Sequence, residues 1–401
     1  MTLALGNAPY QKTLAASLLA AGMLRRVLRE RAPYLDLEVL DPGPDGSLKL
    51  IKAFPFFQFI TRGAWAIWRR LPEIVRPDPA AIVLANCWLR DQLMLPWVEP
   101  SSIFHACTAV YVDSLGRAKG QGAITLVEHA ARHERHWRDA VSEERRRFGV
   151  DRASIHGFSD RLIRRMDRIF AACDRIVVSS EVARQSFVEM GYANKVEVIP
   201  TGVDHELFSP QQQTEEPPMF RVCYVGRVEL VKGIGYLLQA WKRLALRHAE
   251  LVLVGGVNPD MKSLLATYAD STVRLLGLLP QEEVAKCYRE SSIFVMPSVN
   301  EGLAQVLLEA MASGLTAVAT DLSGASECIT SGKDGIIVPA RNVDALADAI
   351  LWCYRHRDEI QAMGKAARAR IESQFTLGHY NQRQIALYRE LAGGRTVLTA
   401  P

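Results

Sequence analysis

The chain has 401 residues, 49% of them hydrophobic, and a formal net charge of +4. That length exceeds a single hydrophobic core and implies two domains. So mild a charge excludes the basic stripe of a nucleic-acid binder and suits an anionic small molecule or a membrane surface better. The seven cysteines (Cys87, Cys107, Cys173, Cys223, Cys287, Cys328, Cys353) are scattered and contain no CxxC pair. Their spacing suggests neither a disulfide framework nor a zinc site, and it fits a reducing cytoplasm.

In chain order, the first strand is expected at 3–5, followed by Gly6-Asn7-Ala8. The apolar stretch 14–24 ends in Arg25-Arg26 and lacks a small-residue cleavage site, so it reads as the first helix of a fold. No apolar run reaches the roughly 18 residues that span a bilayer. Further strands are expected at 37–40, 81–84, 103–106, 124–127, 175–178 and 196–199. A second series follows at 221–225, 250–254, 273–275, 292–296, 317–320 and 335–338. Helical stretches alternate with them, the sign of two parallel sheets covered on both faces, each a Rossmann-like unit. The polar run 209–218 places the boundary between about 200 and 218.

Residues 49–76 hold six bases (Lys49, Lys52, Arg62, Arg69, Arg70, Arg76) and six aromatics against the single acid Glu73. If the part after Pro55 is helical, Phe56, Ile60, Ala64, Ile67 and Leu71 share one face and Arg62, Trp65 and Arg69 the other. A core helix with exposed arginines and an interfacial helix meeting anionic headgroups both fit. The block 132–168 interleaves arginines with acids at helical spacing, which reads as a solvated, salt-bridged face.

Ligands in open α/β sheets sit at the carboxyl ends of strands. After the strand at 221–225 come Gly226-Arg227 and then Lys232-Gly233, placing two cations where a diphosphate would lie. A solvated pair of loop bases fits equally well. After the strand at 292–296, Pro297 to Ala304 opens a helix whose start suits a phosphate, with Gly302 removing a side chain from the approach. Glu301 precedes this helix and Glu309 lies two turns into it. Carboxylates there can hold vicinal hydroxyls, or they can serve as a capping acid and an ordinary helical residue. No Walker loop, no G-x-G-x-x-G and no Asp-x-Asp motif occurs, which lowers NTPase, dinucleotide and metal-bridged readings.

The ensemble V-G-R-x4-K-G (Val225 to Gly233), then P-S-x2-E-G-x6-E-A-M-A-S-G (Pro297 to Gly314), resembles glycosyltransferase family 4, retaining enzymes of the GT-B fold. Val198 to Asp204, Ser323 to Glu327 and Gly332 to Val338 extend the likeness, which runs from about 170 to 340. The resemblance implies two Rossmann-like domains facing each other across a cleft. Residues 1–205 would bind the acceptor, 206–375 a nucleotide sugar, and 376–401 would return as a helix to the first domain. It implies a metal-independent glycosyltransferase without cofactor, taking its sugar from a nucleotide-diphosphate sugar to a glycan, lipid-linked or small-molecule acceptor.

By position, Arg227 and Lys232 would bind the diphosphate. Gly226 and the backbone amides of Gly302, Leu303 and Ala304 would support the donor. Glu301 would meet sugar hydroxyls and Glu309 the ribose, and base recognition would rely on backbone near 274–277. Gly6 and Asn7 would form a phosphate-facing loop. His129 or His133 would be the active-site histidine, with His136 on the surface. Ala304, Thr201 and Thr316 depart from the family's usual glycine, asparagine and proline. A sugar-nucleotide epimerase or hydrolase and a non-catalytic sugar-nucleotide-binding partner remain the alternatives. A cytoplasmic protein is expected, peripheral on the inner leaflet if 49–76 meets lipid.

Overall fold

A computed structural model describes residues 1–5, 9–31, 36–45, 47–54, 66–67, 70, 79–107, 111–150, 159–210 and 219–393. Gly6, Asn7, most of 55–76 and the run 211–218 lie outside the described residues. The first sheet contains β1 (Thr2–Leu5), β2 (Arg26–Arg31), β3 (Asp36–Pro42), β4 (Leu48–Phe54), β5 (Ile103–Ala106), β6 (Ile124–Glu128), β7 (Arg175–Val178) and β8 (Val196–Val198). Their order is β4-β3-β2-β1-β5-β6-β7-β8. The second contains β9 (Phe220–Val225), β10 (Ala249–Val254), β11 (Val273–Gly277), β12 (Ile293–Met296), β13 (Thr316–Thr320) and β14 (Ile336–Val338), in the order β11-β10-β9-β12-β13-β14.

Every pairing in the second sheet is parallel. Helices cover both faces, so strands such as β10 and β13 are buried throughout and read as continuous apolar runs. The winding direction reverses between β9 and β12, and in the first sheet between β1 and β5. Neighbouring loops diverge there and leave a crevice at the carboxyl ends. The architecture is the GT-B arrangement of two such sheets.

Three expectations fail in the first half. Residues 81–84 are not a strand but part of the helix Pro79–Met94. The apolar run continues past a strand's length through Ala85, Cys87 and Leu89, and Pro79 starts the helix where its missing N–H costs nothing. β2 and β4 are strands that the pattern hid, because charges interrupt them. Arg26 lies 2.8 Å from both Asp41 and Glu99, pairs that only the fold creates. Nor is this sheet wholly parallel, since β3 runs antiparallel to β2 and β4. Among the described residues β4 is an edge strand, and it carries Lys49 and Lys52, bases of a kind that discourage pairing between sheet edges.

The chain crosses between the halves twice, side by side. Ile199 packs in the core of the first sheet, whereas Val203 belongs to that of the second. Phe375 packs with the second core, whereas Tyr380 packs with the first. Val203 N–H donates to Phe375 O at 2.9 Å, and Leu377 N–H to Val203 O at 3.2 Å. A Cβ on Gly202 would lie 2.6 Å from Thr376 O, so only glycine allows this approach. The last helix, Leu377–Gly393, then lies on the helix Pro9–Ala20. Tyr380 meets Tyr10 edge-on at 5.0 Å, and Asn381 Nδ2 donates to Ser17 Oγ at 2.9 Å.

Candidate functional site

The reversal point of the second sheet gathers the cationic and acidic residues that the sequence singled out. Gly226 leaves β9 at φ 142°, a conformation that side chains resist, and Tyr224 OH donates to Arg227 O at 2.8 Å. The Arg227 guanidinium is half exposed, 3.0 Å from the buried carboxylate of Glu229. Gly233 takes φ 73°, and a Cβ there would lie 1.8 Å from Pro297 O. Its absence lets the loops after β9 and β12 touch, tied by Val299 N–H to Val231 O at 3.0 Å.

Lys232 Nζ pairs with Glu301 Oε1, which also accepts from Ser298 Oγ at 3.2 Å. Glu301 N–H is taken by Leu322 O at 3.0 Å and Ala304 N–H by Ser323 O at 3.4 Å. The amides of Gly302 and Leu303 meet no acceptor among the described residues. They stand just before the helix Gln305–Ala312, where the peptide dipoles favour an anion. Of the three amides expected to serve a donor, two are therefore open and that of Ala304 is already engaged.

Gly302 is also one of the contacts between the halves. A Cβ there would lie 1.8 Å from Ala130 O, and Ser180 Oγ donates to Gly302 O at 2.8 Å. Glu309 is buried and accepts from Tyr288 OH at 3.2 Å. Burial pushes its carboxyl up to about 7.

The two candidate histidines occupy different environments. His129 follows β6 and keeps partial exposure, with Nε2 3.2 Å from Glu134 Oε1 and its ring edge-on to Phe170 and Phe187. His133 is fully buried and caps the helix Glu134–Phe148, its Nδ1 accepting from Arg135 N–H at 3.3 Å. That bond leaves the proton on Nε2, which donates to Asp167 Oδ1 at 3.1 Å. Burial pushes His133 down to about 4, so it stays neutral.

Sequence reasoning missed the seam along the helix Glu134–Phe148. Its outer turns do carry solvated pairs, such as Arg147 with Glu143 at 2.6 Å. Its inner face binds the second half. Glu144 is fully buried, accepting from Tyr236 OH and Arg341 Nε, both at 2.6 Å, and Arg145 lies 3.1 Å from Asp260. His136 is not a plain surface residue. It is 3.0 Å from Glu189 and lines a cavity of about 440 Å³ shared with Arg132, Arg341, Val299 and Leu322. An isolated helix signal cannot reveal that its charges find partners about 90 to 200 residues away.

The description Glycosyltransferase Family 4 matches residues 10–207, and Glycosyl transferases group 1 matches residues 220–356. A D-inositol 3-phosphate glycosyltransferase of Kribbella flavida is 30% identical over 224 residues, 50% of this chain and 53% of that protein. The chain thus spans about half the length of that relative. A lipopolysaccharide core biosynthesis mannosyltransferase of Rhizobium leguminosarum is 30% identical over 249 residues, 58% of this chain and 67% of its own length. Among solved structures, sucrose-phosphate synthase of Thermosynechococcus elongatus superposes with a TM-score of 0.71 at 18% identity. That superposition covers 98% of this chain and 100% of the other.

Proposed function

Because the chain belongs to glycosyltransferase family 4, we propose that it moves a sugar from a nucleotide-diphosphate sugar to a glycan, lipid or small-molecule acceptor. The proposal includes retention of anomeric configuration and no metal bridging the phosphates. One observation carries it: Arg227, Lys232, Glu301 and the open amides of Gly302 and Leu303 cluster where the second sheet's winding reverses and meets the first half.

Breaking the sugar–phosphate bond drives negative charge onto the leaving diphosphate. Donors already fixed around that charge lower the barrier without reorganising. Arg227, Lys232 and the two amides fill this role. Glu301 exchanges its ion pair for sugar hydroxyls, and Glu309 holds the ribose. In the proposed front-face route the acceptor oxygen attacks the anomeric carbon as the phosphate departs on the same face. The acceptor's proton passes to the leaving phosphate oxygen. The acceptor side lies on the first sheet, and the basic, aromatic segment 49–76 brings it to an anionic inner leaflet.

A thermal-shift panel of UDP-, GDP- and ADP-sugars tests the donor site. A ligand at ~100 times its dissociation constant stabilises by roughly 2.7 kcal/mol. NMR of the product's anomeric proton then reads the stereochemistry. An inverted product, or a glycosyl ester trapped on Glu301, would overturn the front-face route.

A further inference from the structure

The reversal point of the first sheet holds a second cluster that the transferase reading does not use. His105 and Cys107 are two residues apart and face the same side of the sheet. The register pairs Ala106 with Val127, which sets Cys107 beside Glu128. All three side chains are buried, and their nitrogen, sulfur and oxygen ligand atoms lie within 4.8 Å of one another. Cys107 Sγ is 3.9 Å from His105 Nε2. Zinc bonds of about 2.0 Å to nitrogen and about 2.3 Å to sulfur, at a tetrahedral angle, hold such atoms roughly 3.5 Å apart. The sulfur–nitrogen pair is within a few tenths of an ångström of that spacing, and the remaining ligand atoms, at most 4.8 Å apart, draw in further on binding.

The surroundings match what metal ligands require. Tyr388 OH is 2.6 Å from His105 Nδ1, which fixes the ring and leaves Nε2 toward the thiol. Tyr380 OH donates to Glu128 Oε1 at 2.9 Å, and Gln11 Nε2 to Oε2 at 3.5 Å. Gln11 Nε2 also donates to Cys107 O at 3.2 Å. The side chains bonded to the Glu128 carboxyl, those of Tyr380, Cys107 and Gln11, are all uncharged. No basic side chain is among its bonding partners to offset a charge buried there.

We propose that His105 Nε2, the Cys107 thiolate and the Glu128 carboxylate bind one zinc ion beneath the acceptor side of the cleft, with a water as the fourth ligand. Nitrogen, thiolate and carboxylate together suit zinc better than magnesium or calcium, which take oxygen. On binding, the S–H bond breaks, the sulfur–zinc bond forms and the proton leaves to solvent, as does any proton on Glu128. The ion ties β5 and β6 to the last helix through Tyr380 and Tyr388. It is separate from the donor phosphates, and the proposal stands whether or not the donor reading does.

Chelator-stripped full-length protein titrated with Co²⁺ and then Zn²⁺ tests this directly. One equivalent of Co²⁺ is expected, with thiolate-to-cobalt charge-transfer absorption that zinc abolishes, and no nucleotide sugar is needed. Cys107→Ser removes the band, whereas Cys173→Ser, at a buried cysteine elsewhere, keeps it. Should Cys107→Ser misfold, zinc-edge X-ray absorption on the wild type still decides, since one sulfur with nitrogen and oxygen neighbours is required. Sub-stoichiometric uptake, a shell without sulfur, or a band that survives Cys107→Ser would reduce the cluster to a hydrogen-bonded network.

Discussion

Lys232 and Glu301, 69 residues apart in sequence, form an ion pair where the loops after β9 and β12 meet. In the proposed function, a diphosphate seated on the Gly302 and Leu303 amides would compete with Glu301 for the lysine. Arg227→Ala and Lys232→Ala are each expected to cost about 2 to 4 kcal/mol in kcat/KM, the cost of removing one fixed donor at a developing anion. Turnover should survive brief EDTA treatment and need no added divalent ion. Wild-type rates in either variant, or strict dependence on manganese, would refute the phosphate site.

Glu309 sets a pH dependence. Its folded pKa of about 7 lies above the 4.5 of the free side chain, so the folded state holds the proton more tightly. The associated stability is complete below about pH 4.5 and is lost as pH rises through 7, on the order of 3 kcal/mol at about 1.4 kcal/mol per unit. Glu309→Gln removes that slope. Relative to wild type the variant gains stability at pH 8 while binding donor more weakly, a combination that a purely structural glutamate would not produce. Parallel denaturation curves from pH 5 to 8 would count against the buried carboxyl.

The histidines separate by readout. His133 is depressed to about 4, below its free value of 6.5, so its contribution is present above pH 6.5 and lost as pH falls toward 4. His133→Ala should lower Tm at pH 7 by removing a helix cap worth about 1 kcal/mol and opening a cavity beside Phe170 and Phe187. His129→Ala leaves the buried Glu134 without its imidazole, so some stability is lost as well, but only this variant should lower kcat in protein that stays folded. The opposite pattern would transfer the active-site role to His133.

Tyr380 anchors the last helix. Tyr380→Phe leaves Glu128 without its closest donor, at about 1 to 3 kcal/mol. Truncation after Thr376 exposes the core around Tyr10 and should lower the melting temperature of the whole chain. An unchanged Tm in the truncated protein would contradict the packing.

For the basic segment, co-sedimentation with anionic vesicles should fall with salt, and Arg62→Glu/Arg69→Glu should abolish it, at roughly 1 kcal/mol per base. Among the described residues no helix is long and apolar enough to cross a membrane. Equal binding to neutral vesicles, or none to either kind, would leave 49–76 as acceptor-domain structure.

Legibility followed burial. The inner strands of the second sheet were readable because parallel strands buried on both faces leave uninterrupted apolar runs such as Leu251 to Val254. The loops that carry the candidate site stood out because glycines mark backbone that no other residue tolerates, as at Gly233 and Gly302. In the first half, β2 and β4 carry charges that tertiary partners or solvent neutralise, so no apolar run marks them, and Arg26 is a strand residue paired with Asp41 and Glu99. Cysteine spacing likewise concealed the neighbours of Cys107, since a parallel register joins residues 21 apart that no local pattern connects.

The paired crossings at Val203 and Thr376 constrain how the molecule can move. Both covalent links between the halves run within hydrogen-bonding distance of each other, so the halves share one spine. Rigid-body opening is then a rotation about that line, like a book's cover, with sliding and twisting resisted by two chains at once. The pages meet where Gly302 rests on Ala130 and where Glu144 bridges Tyr236 and Arg341, so opening about the spine has to part these two contacts.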